Sequence, residues 1–171
     1  MRTGVAIVGG ILGVVALAAL TGALLPVSHV ARRSLVVRQV PESVWAVISD
    51  FEAQPTWRKD VTSVALVSEG PEGQVWREEG STPLSLRTSE VQAPSRLVRT
   101  IVDTDLPFGG RWIYELSPEG GGTRVMLTEE GEVYNVIFRL VGRLFLNQAA
   151  TIEGYLSALS ARLGETATPQ P

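Results

Sequence analysis

The residues best suited to chemistry in this sequence are two glutamates, Glu78 and Glu129, and one tyrosine, Tyr114. Side chains alternate between the two faces of a strand, so the charged neighbours Arg77 and Glu79 predict that Glu78 points inward. An inward carboxylate without a partner has a raised pKa and can act as a general base, and an inward tyrosine can hydrogen-bond a ligand carbonyl. The alternative is a β-bulge that turns these carboxylates to solvent, because a slip of one residue exchanges the two faces.

Composition excludes several other kinds of catalytic site. The 171 residues contain no cysteine and a single histidine, His29, which excludes thiolate zinc sites, cysteine nucleophiles and multi-histidine metal sites. Residues 120–122 are three glycines without the lysine or the following helix of a phosphate-binding loop, and they indicate a hairpin turn. The formal charge of −3 provides no clustered basic face for nucleic acid. We therefore expect no metal, no cofactor and no nucleic-acid partner.

The same alternation predicts a wider set of inward residues. In the strand-like run 97–103, for example, Arg99 and Asp103 are assigned to the outer face and Thr100 to the inner face. The set is apolar and aromatic with a few polar groups, as in a small-molecule pocket. No member is assigned a catalytic role, and at inward positions Trp76 and Trp112 are more often part of a plain core. The candidate cavity residues are Trp57, Trp76, Glu78, Leu86, Thr100, Trp112, Tyr114, Leu127, Glu129, Val141 and Gln148.

The elements that must position these residues follow from periodicity and turn residues. A β-branched run over 34–40 predicts a strand, and Pro41 suits the first position of a short helix. Glycine and proline then separate six strand-like runs, which indicates an antiparallel meander. From residue 135 to about 163, apolar residues recur at helical spacing, which predicts one long helix with Ile137 and Val141 facing the sheet. Such a helix can lie in the concave side of a twisted sheet and leave an apolar cavity, an α+β arrangement.

The amino-terminal segment predicts a membrane anchor. Residues 4–27 carry no charge and are long enough to cross the hydrocarbon core as a helix. A cleaved signal peptide with a cleavage region at 21–23 is the alternative. Arg32 and Arg33 after the segment favour a cytoplasmic globular part. We expect a single-pass membrane protein with an anchor over 1–28, a globular domain over 34–163 and a disordered tail over 164–171.

Six short strings follow one another in a characteristic order. They are Val40-Pro41-Glu42-Ser43-Val44-Trp45, Asp50-Phe51, Pro55-Thr56-Trp57, Gly110-Arg111-Trp112, Gly122-Thr123-Arg124-Val125 and Glu130-Gly131-Glu132-Val133. Together they resemble the START-like superfamily, also called SRPBCC, and in particular its polyketide cyclase/dehydrase-like branch. The resemblance covers about residues 34–163 and implies a helix-grip fold that holds a hydrophobic ligand between sheet and helix. Members of the superfamily include lipid carriers, hormone receptors and aromatase/cyclases.

Three functional hypotheses follow. The first is a membrane-anchored protein that binds a hydrophobic small molecule or lipid without catalysis. The second is a cyclase-like enzyme that uses Glu78, Tyr114 or Glu129 as acid–base groups. The third is a structural or interaction module whose core is filled by its own side chains. Inward polar groups around an open void would favour the enzyme, an apolar void the carrier, and a closed core the third hypothesis.

Overall fold

The computed structural model describes residues 13, 17, 19–145, 147 and 149–171. In this part of the chain, strands dominate the first two thirds and helices the last third. The elements are β1 (Ser28–Val37), α1 (Pro41–Ser49), a 3₁₀ helix (Gln54–Thr56), β2 (Val61–Gly70), β3 (Gly73–Gly80), β4 (Leu84–Gln92), β5 (Arg96–Ile101), β6 (Phe108–Glu119), β7 (Gly122–Val133), α2 (Val136–Phe145) and α3 (Ala150–Arg162).

The strands form one antiparallel sheet in the order β1-β7-β6-β5-β4-β3-β2. Strands β2 to β7 follow one another in space as in sequence, so the predicted antiparallel meander is confirmed. Gly120 and Gly121, between β6 and β7, have φ values of 59° and 82°. Only a residue without a Cβ adopts this left-handed region readily, which is why a glycine run closes the hairpin. Strand β1 returns to pair with β7, so β1 and β2 are the two edges.

The core lies between the sheet and the helices α1 and α3. Helix α1 buries Val44 and Ile48, four residues apart on one face, and α3 buries Ile152, Leu156 and Leu159 in the same way. Full burial of each such side chain contributes about 1.5–3 kcal/mol. A curved antiparallel sheet with a carboxy-terminal helix is the helix-grip arrangement that the resemblance implied, so this part of the fold prediction is confirmed.

The prediction of one continuous helix over 135–163 is wrong, because this segment forms two helices. Helix α2 ends at Phe145 and α3 begins at Ala150. Asn147 lies in the break, where its Oδ1 accepts a hydrogen bond from the backbone N–H of Ala149 at 3.0 Å. Such local bonds from asparagine compete with helix continuation. Because α2 is separate, Val141 is 41% exposed and Ile137 is also exposed, so neither faces the sheet as predicted.

The predicted location in a membrane is wrong. No helix among the described residues is long and apolar enough to span a bilayer. Much of the predicted anchor lies outside the described residues. The cytoplasmic orientation inferred from Arg32 and Arg33 depended on a membrane-spanning helix and is corrected with it. Both arginines belong to β1, where they bond to Thr128 and Glu153.

The residues after α3 return to the outer edge of β1. Gln170 and Ser34 exchange two backbone hydrogen bonds of 2.7 and 2.8 Å, and the N–H of Ala167 donates to Ser160 Oγ at 2.9 Å. These contacts involve the segment for which the sequence predicts disorder. They cover part of a strand edge that would otherwise present unpaired backbone groups.

Candidate functional site

A buried cluster of charged residues lies on the concave face of the sheet. Arg99 of β5 is 1% exposed, and its Nη1 donates to Glu78 Oε1 at 2.6 Å. Glu78 of β3 is 4% exposed, and its Oε2 accepts from Arg58 Nη1 at 3.0 Å. Arg58 follows the 3₁₀ helix and also donates to Gln54 Oε1 at 2.7 Å. One carboxylate thus bridges two guanidinium groups in the interior.

Asp60 connects this cluster to solvent. Its carboxylate pairs with Arg58 Nη2 at 2.5 Å, and its side chain is 54% exposed. Burial acts to lower the pKa of Arg58, but the hydrogen bond to Asp60 and the charge of Glu78 outweigh it and hold the pKa above its usual value. Burial acts to raise the pKa of Asp60, but the hydrogen bond from Arg58 outweighs it and lowers the pKa. The Arg58–Asp60 pair is therefore ionised near neutral pH.

Aromatic rings enclose the cluster. The Arg99 Cζ lies 4.1 Å from the centroid of the Phe51 ring, within cation–π range. On the helix side, the Tyr155 ring makes edge contacts with Trp57 and Tyr114, at centroid distances of 5.5 and 5.4 Å. Charged groups thus sit among rings, an environment suited to a ligand with an apolar body.

Two buried phenols, those of Tyr114 and Tyr155, lie beside the charged cluster. Burial is the main cause that raises the pKa of Tyr114, and it raises that of Tyr155 well above the ordinary value of 10.0. Both side chains are therefore neutral at physiological pH. The two hydroxyls act on each other, since a hydrogen bond to Tyr155 is among the causes that act to lower the pKa of Tyr114. As neutral hydroxyls, both can donate and accept hydrogen bonds.

The strand register explains why Arg99 lies inside. Arg99 pairs with Trp112 across β5 and β6, and Trp112 pairs with Glu129 across β6 and β7, so the three share the concave face. The predicted assignment of β5 is therefore reversed. Thr100 lies on the other face, where its Oγ1 is 3.3 Å from Ser89 Oγ. Charged residues were assigned to the outer face of each strand, and in β5 this assignment is wrong because Arg99 is buried.

A second set of inward polar side chains lies around Glu129 and consists of Trp112 and His29. Its Oε2 accepts from Trp112 Nε1 at 3.0 Å, and its Oε1 lies 3.6 Å from His29 Nε2. His29 pairs with Gly131, and a Cβ at Gly131 would collide with the imidazole ring. The glycine therefore makes room for His29 on the sheet, a role that the sequence analysis missed.

The other predicted site residues are placed as follows. Trp76, Leu86, Tyr114 and Leu127 are buried, and Trp57 and Trp112 are partly buried against the core. Glu78 is not exposed by a bulge, since the irregular positions near it lie in the neighbouring strand β2. Val141 is exposed on α2, away from the cluster. Gln148 lies outside the described residues.

Most of the charged cluster is absent from the site predicted from the sequence. Its unpredicted members are Arg58 and Arg99, and the unpredicted rings beside them are Phe51 and Tyr155. The sequence did carry a signal that Arg99 points inward. Arg99 stands two residues from the apolar Leu97 and Ile101, so the three share one face of the strand. In the structure Leu97 is fully buried. Arg58 carried no such signal, since it lies in a turn where side-chain direction follows no simple period.

An open cleft lies elsewhere, beside β1 where α2 gives way to α3. It has a volume of about 390 Å³ and is lined partly by Arg32, Arg33, Arg143 and Asn147. It does not include the Arg99 cluster. Within the part of the chain that the structure describes, no group of three or more His, Asp or Glu side chains is placed to hold a metal ion.

Comparison with known proteins identifies the family to which this fold belongs. Residues 28–166 match the model of the family described as polyketide cyclase/dehydrase and lipid transport. The chain belongs to this family. The match begins at the first residue of β1 and ends four residues after α3, so it covers the sheet and the helices that pack on it. The resemblance to the START-like superfamily is thereby confirmed. Among curated proteins, none matches the chain significantly.

Solved structures share the family fold at low sequence identity. A START superfamily protein from Mycobacterium smegmatis is 17% identical with a TM-score of 0.63, over 80% of this chain and 97% of that one. Norcoclaurine synthase from Thalictrum flavum is 14% identical with a TM-score of 0.63, over 81% and 88%. The di-domain ARO/CYC StfQ from the steffimycin biosynthetic pathway is 12% identical with a TM-score of 0.63, over 81% and 53%. These likenesses establish the fold and leave activity to the residues of this chain.

Proposed function

We propose that this protein binds a hydrophobic small molecule or lipid between the sheet and α3, with the Arg99–Glu78–Arg58 cluster meeting its polar end. One observation carries the proposal: Nε and Nη2 of Arg99 are buried without hydrogen-bond partners among the described residues. Buried polar atoms in native proteins are nearly always paired. A ligand with a polar end would pair these two nitrogens, which supports binding over the filled-core hypothesis.

The surrounding rings supply the apolar part of the site. Phe51 and Trp76 meet edge to face at 5.4 Å, and Tyr114 and Tyr155 meet at 5.4 Å. Trp57 covers Tyr155 from the 3₁₀-helix side. The exposed carboxylate of Asp60 marks the side from which the cluster is nearest to solvent.

The cyclase-like alternative has less support from the same groups. A general base works best when its pKa lies near the operating pH and its lone pairs are free. Both oxygens of Glu78 are already bonded to guanidinium groups. The phenols of Tyr114 and Tyr155 have raised pKa values, which makes them poor acids near neutral pH. These contacts argue against Glu78 and the phenols as acid–base groups. Glu129, which bonds to Trp112 and lies 3.6 Å from His29 Nε2, is the predicted acid–base residue that the alternative retains.

Native mass spectrometry of the purified full chain tests the proposal, together with titration of the neutral fluorophore N-phenyl-1-naphthylamine. We expect a retained organic molecule, or saturable binding of the fluorophore at one site per chain. Tyr155→Phe should change the affinity, whereas Tyr134→Phe should not, because Tyr134 is exposed and bonds to Glu132. A chain without retained ligand or saturable binding would favour the filled-core module.

A further inference from the structure

We propose that the ligand of this site carries a carboxylate, which Arg99 holds with the paired N–H donors of Nε and Nη2. The inference rests on the proposed function, because it names the chemical class of the molecule bound there. It begins from the geometry of one side chain. Nη1 of Arg99 is taken by Glu78 at 2.6 Å, while Nε and Nη2 are buried and have no partner among the described residues.

The two free atoms form one edge of the guanidinium plane. Their N–H bonds run nearly parallel, and this fork matches the two oxygens of a carboxylate. A single carbonyl or hydroxyl oxygen satisfies such an edge less completely. Phe51 covers a face of the same guanidinium, with Cζ 4.1 Å from the ring centroid, and a ring over the face leaves the edge available.

A third unpaired atom belongs to the neighbouring strand. Thr88 of β4 pairs directly with Arg99 of β5, so both side chains leave the same face of the sheet. Thr88 Oγ1 is also buried without a partner among the described residues. A hydroxyl beside an arginine fork can donate a further hydrogen bond to a carboxylate oxygen.

The four charged groups at the site balance one another, with two arginines, Arg58 and Arg99, and two carboxylates, Glu78 and Asp60. Asp60 pairs with Arg58 from the exposed rim, at 2.5 Å. In the described part of the chain Glu78 is the one ion-pair partner of Arg99 and contacts only its Nη1. It is therefore the two unpaired nitrogens of Arg99 that favour a ligand carboxylate, which would satisfy them together.

The test compares molecules that differ only at the head. Dodecanoic acid, 1-dodecanol and methyl dodecanoate, each below its aggregation concentration, compete with N-phenyl-1-naphthylamine on the full chain at pH 8. We expect the acid to bind at least about tenfold more tightly than the alcohol and the ester, as hydrogen bonds to a charged group predict. Arg99→Lys keeps the charge but removes the fork, and should remove most of this preference. Thr88→Val should reduce it about threefold, from loss of one weaker bond.

A matched control distinguishes the paired N–H donors of Arg99 from the effect of positive charge alone. Arg96→Lys alters another β5 arginine, which bonds to Glu90 and Glu115, and should leave the preference unchanged. Equal binding of the three compounds to the wild-type chain would overturn the carboxylate inference and leave the proposed function standing. Failure of all three compounds and of the fluorophore to bind would overturn the proposed function itself. If Arg99→Lys does not fold, the comparison of acid, alcohol and ester on the wild-type chain and on Thr88→Val still tests the carboxylate inference.

Discussion

Glu78 and Arg99 form an ion pair inside the protein, with 2.6 Å between Oε1 and Nη1, although 21 residues separate them along the chain. Taking two charges out of water is costly, and the cost is recovered only when both are well bonded. Glu78 meets this condition through its second bond to Arg58, whereas Arg99 keeps two N–H groups unpaired among the described residues. Glu78 therefore has a structural role. Arg99 keeps Nε and Nη2 without partners among the described residues.

Replacing Glu78 with glutamine should destabilise the protein strongly. The substitution keeps the shape but leaves Arg58 and Arg99 facing each other without their shared anion, and breaking a buried pair costs about 3–5 kcal/mol. Glu79→Gln is the matched control, because Glu79 is 48% exposed in its side chain and pairs with Arg77 at the surface. Urea unfolding monitored by tryptophan fluorescence measures both. Similar small effects of the two substitutions would contradict the role given to Glu78.

The buried phenols should make the protein sensitive to alkali. Burial raises the pKa of Tyr155 in the folded state well above its unfolded value of about 10. The folded state therefore keeps the proton longer, so this contribution to stability is complete below about pH 10 and is lost as pH rises through the folded pKa. The free energy of unfolding of Tyr155→Phe should fall less steeply above pH 10 than that of the wild-type chain.

Phenolate absorbance checks the same assignment directly. Of the three tyrosines, only Tyr134 is exposed. One phenol should therefore ionise before alkaline unfolding, and Tyr134→Phe should remove that phase while Tyr155→Phe keeps it. Ionisation of all three phenols in a folded chain would show that Tyr114 and Tyr155 are accessible to water.

The Arg58–Asp60 pair should support the fold down to acidic pH. The pKa of Asp60 lies below its ordinary value of 3.8 because the Arg58 hydrogen bond outweighs the effect of burial. A lowered folded pKa means that this stabilisation is present above about pH 3.8 and is lost as pH falls through the folded value. Asp60→Asn should reduce stability at pH 6 and flatten its decline on acidification. Asp105→Asn offers a comparison at an exposed loop position. Parallel acid curves for the wild-type chain and Asp60→Asn would be inconsistent with the pairing.

Adding a methyl group at Gly131 should displace His29 from Glu129. The new Cβ would occupy the position of the imidazole ring, and such overpacking costs about 1–3 kcal/mol. Removing the ring relieves the collision, so Gly131→Ala should cost much less in a His29→Ala background. Gly142→Ala in α2 is the control, since its Cβ meets nothing within 4 Å and alanine favours a helix. Additive effects of the two substitutions, measured by thermal unfolding, would rule out the contact.

The elements could be predicted from the sequence because each depends on nearby residues. Glycine and proline turns separated the strands, alternation marked them, and family strings such as Gly110-Arg111-Trp112 identified the superfamily. The inward position of Glu78 also followed from its flanking charges, and the structure places this side chain in the interior. The end of α2 was missed, because apolar periodicity continues across a break that one asparagine creates.

Apart from the inward position of Glu78, the charged cluster was decided by tertiary structure. Alternation tells that two neighbours lie on opposite faces of a strand, but not which face is covered. Arg99 is buried because Glu78 of β3 and the Phe51 ring meet it there, and both come from segments that only the folded sheet brings together. Arg58 joins them from a turn whose direction depends on its bonds to Gln54, Asp60 and Glu78. A charged side chain enters a protein interior only where partners compensate its lost hydration, and those partners are set by three-dimensional contacts rather than by sequence neighbours.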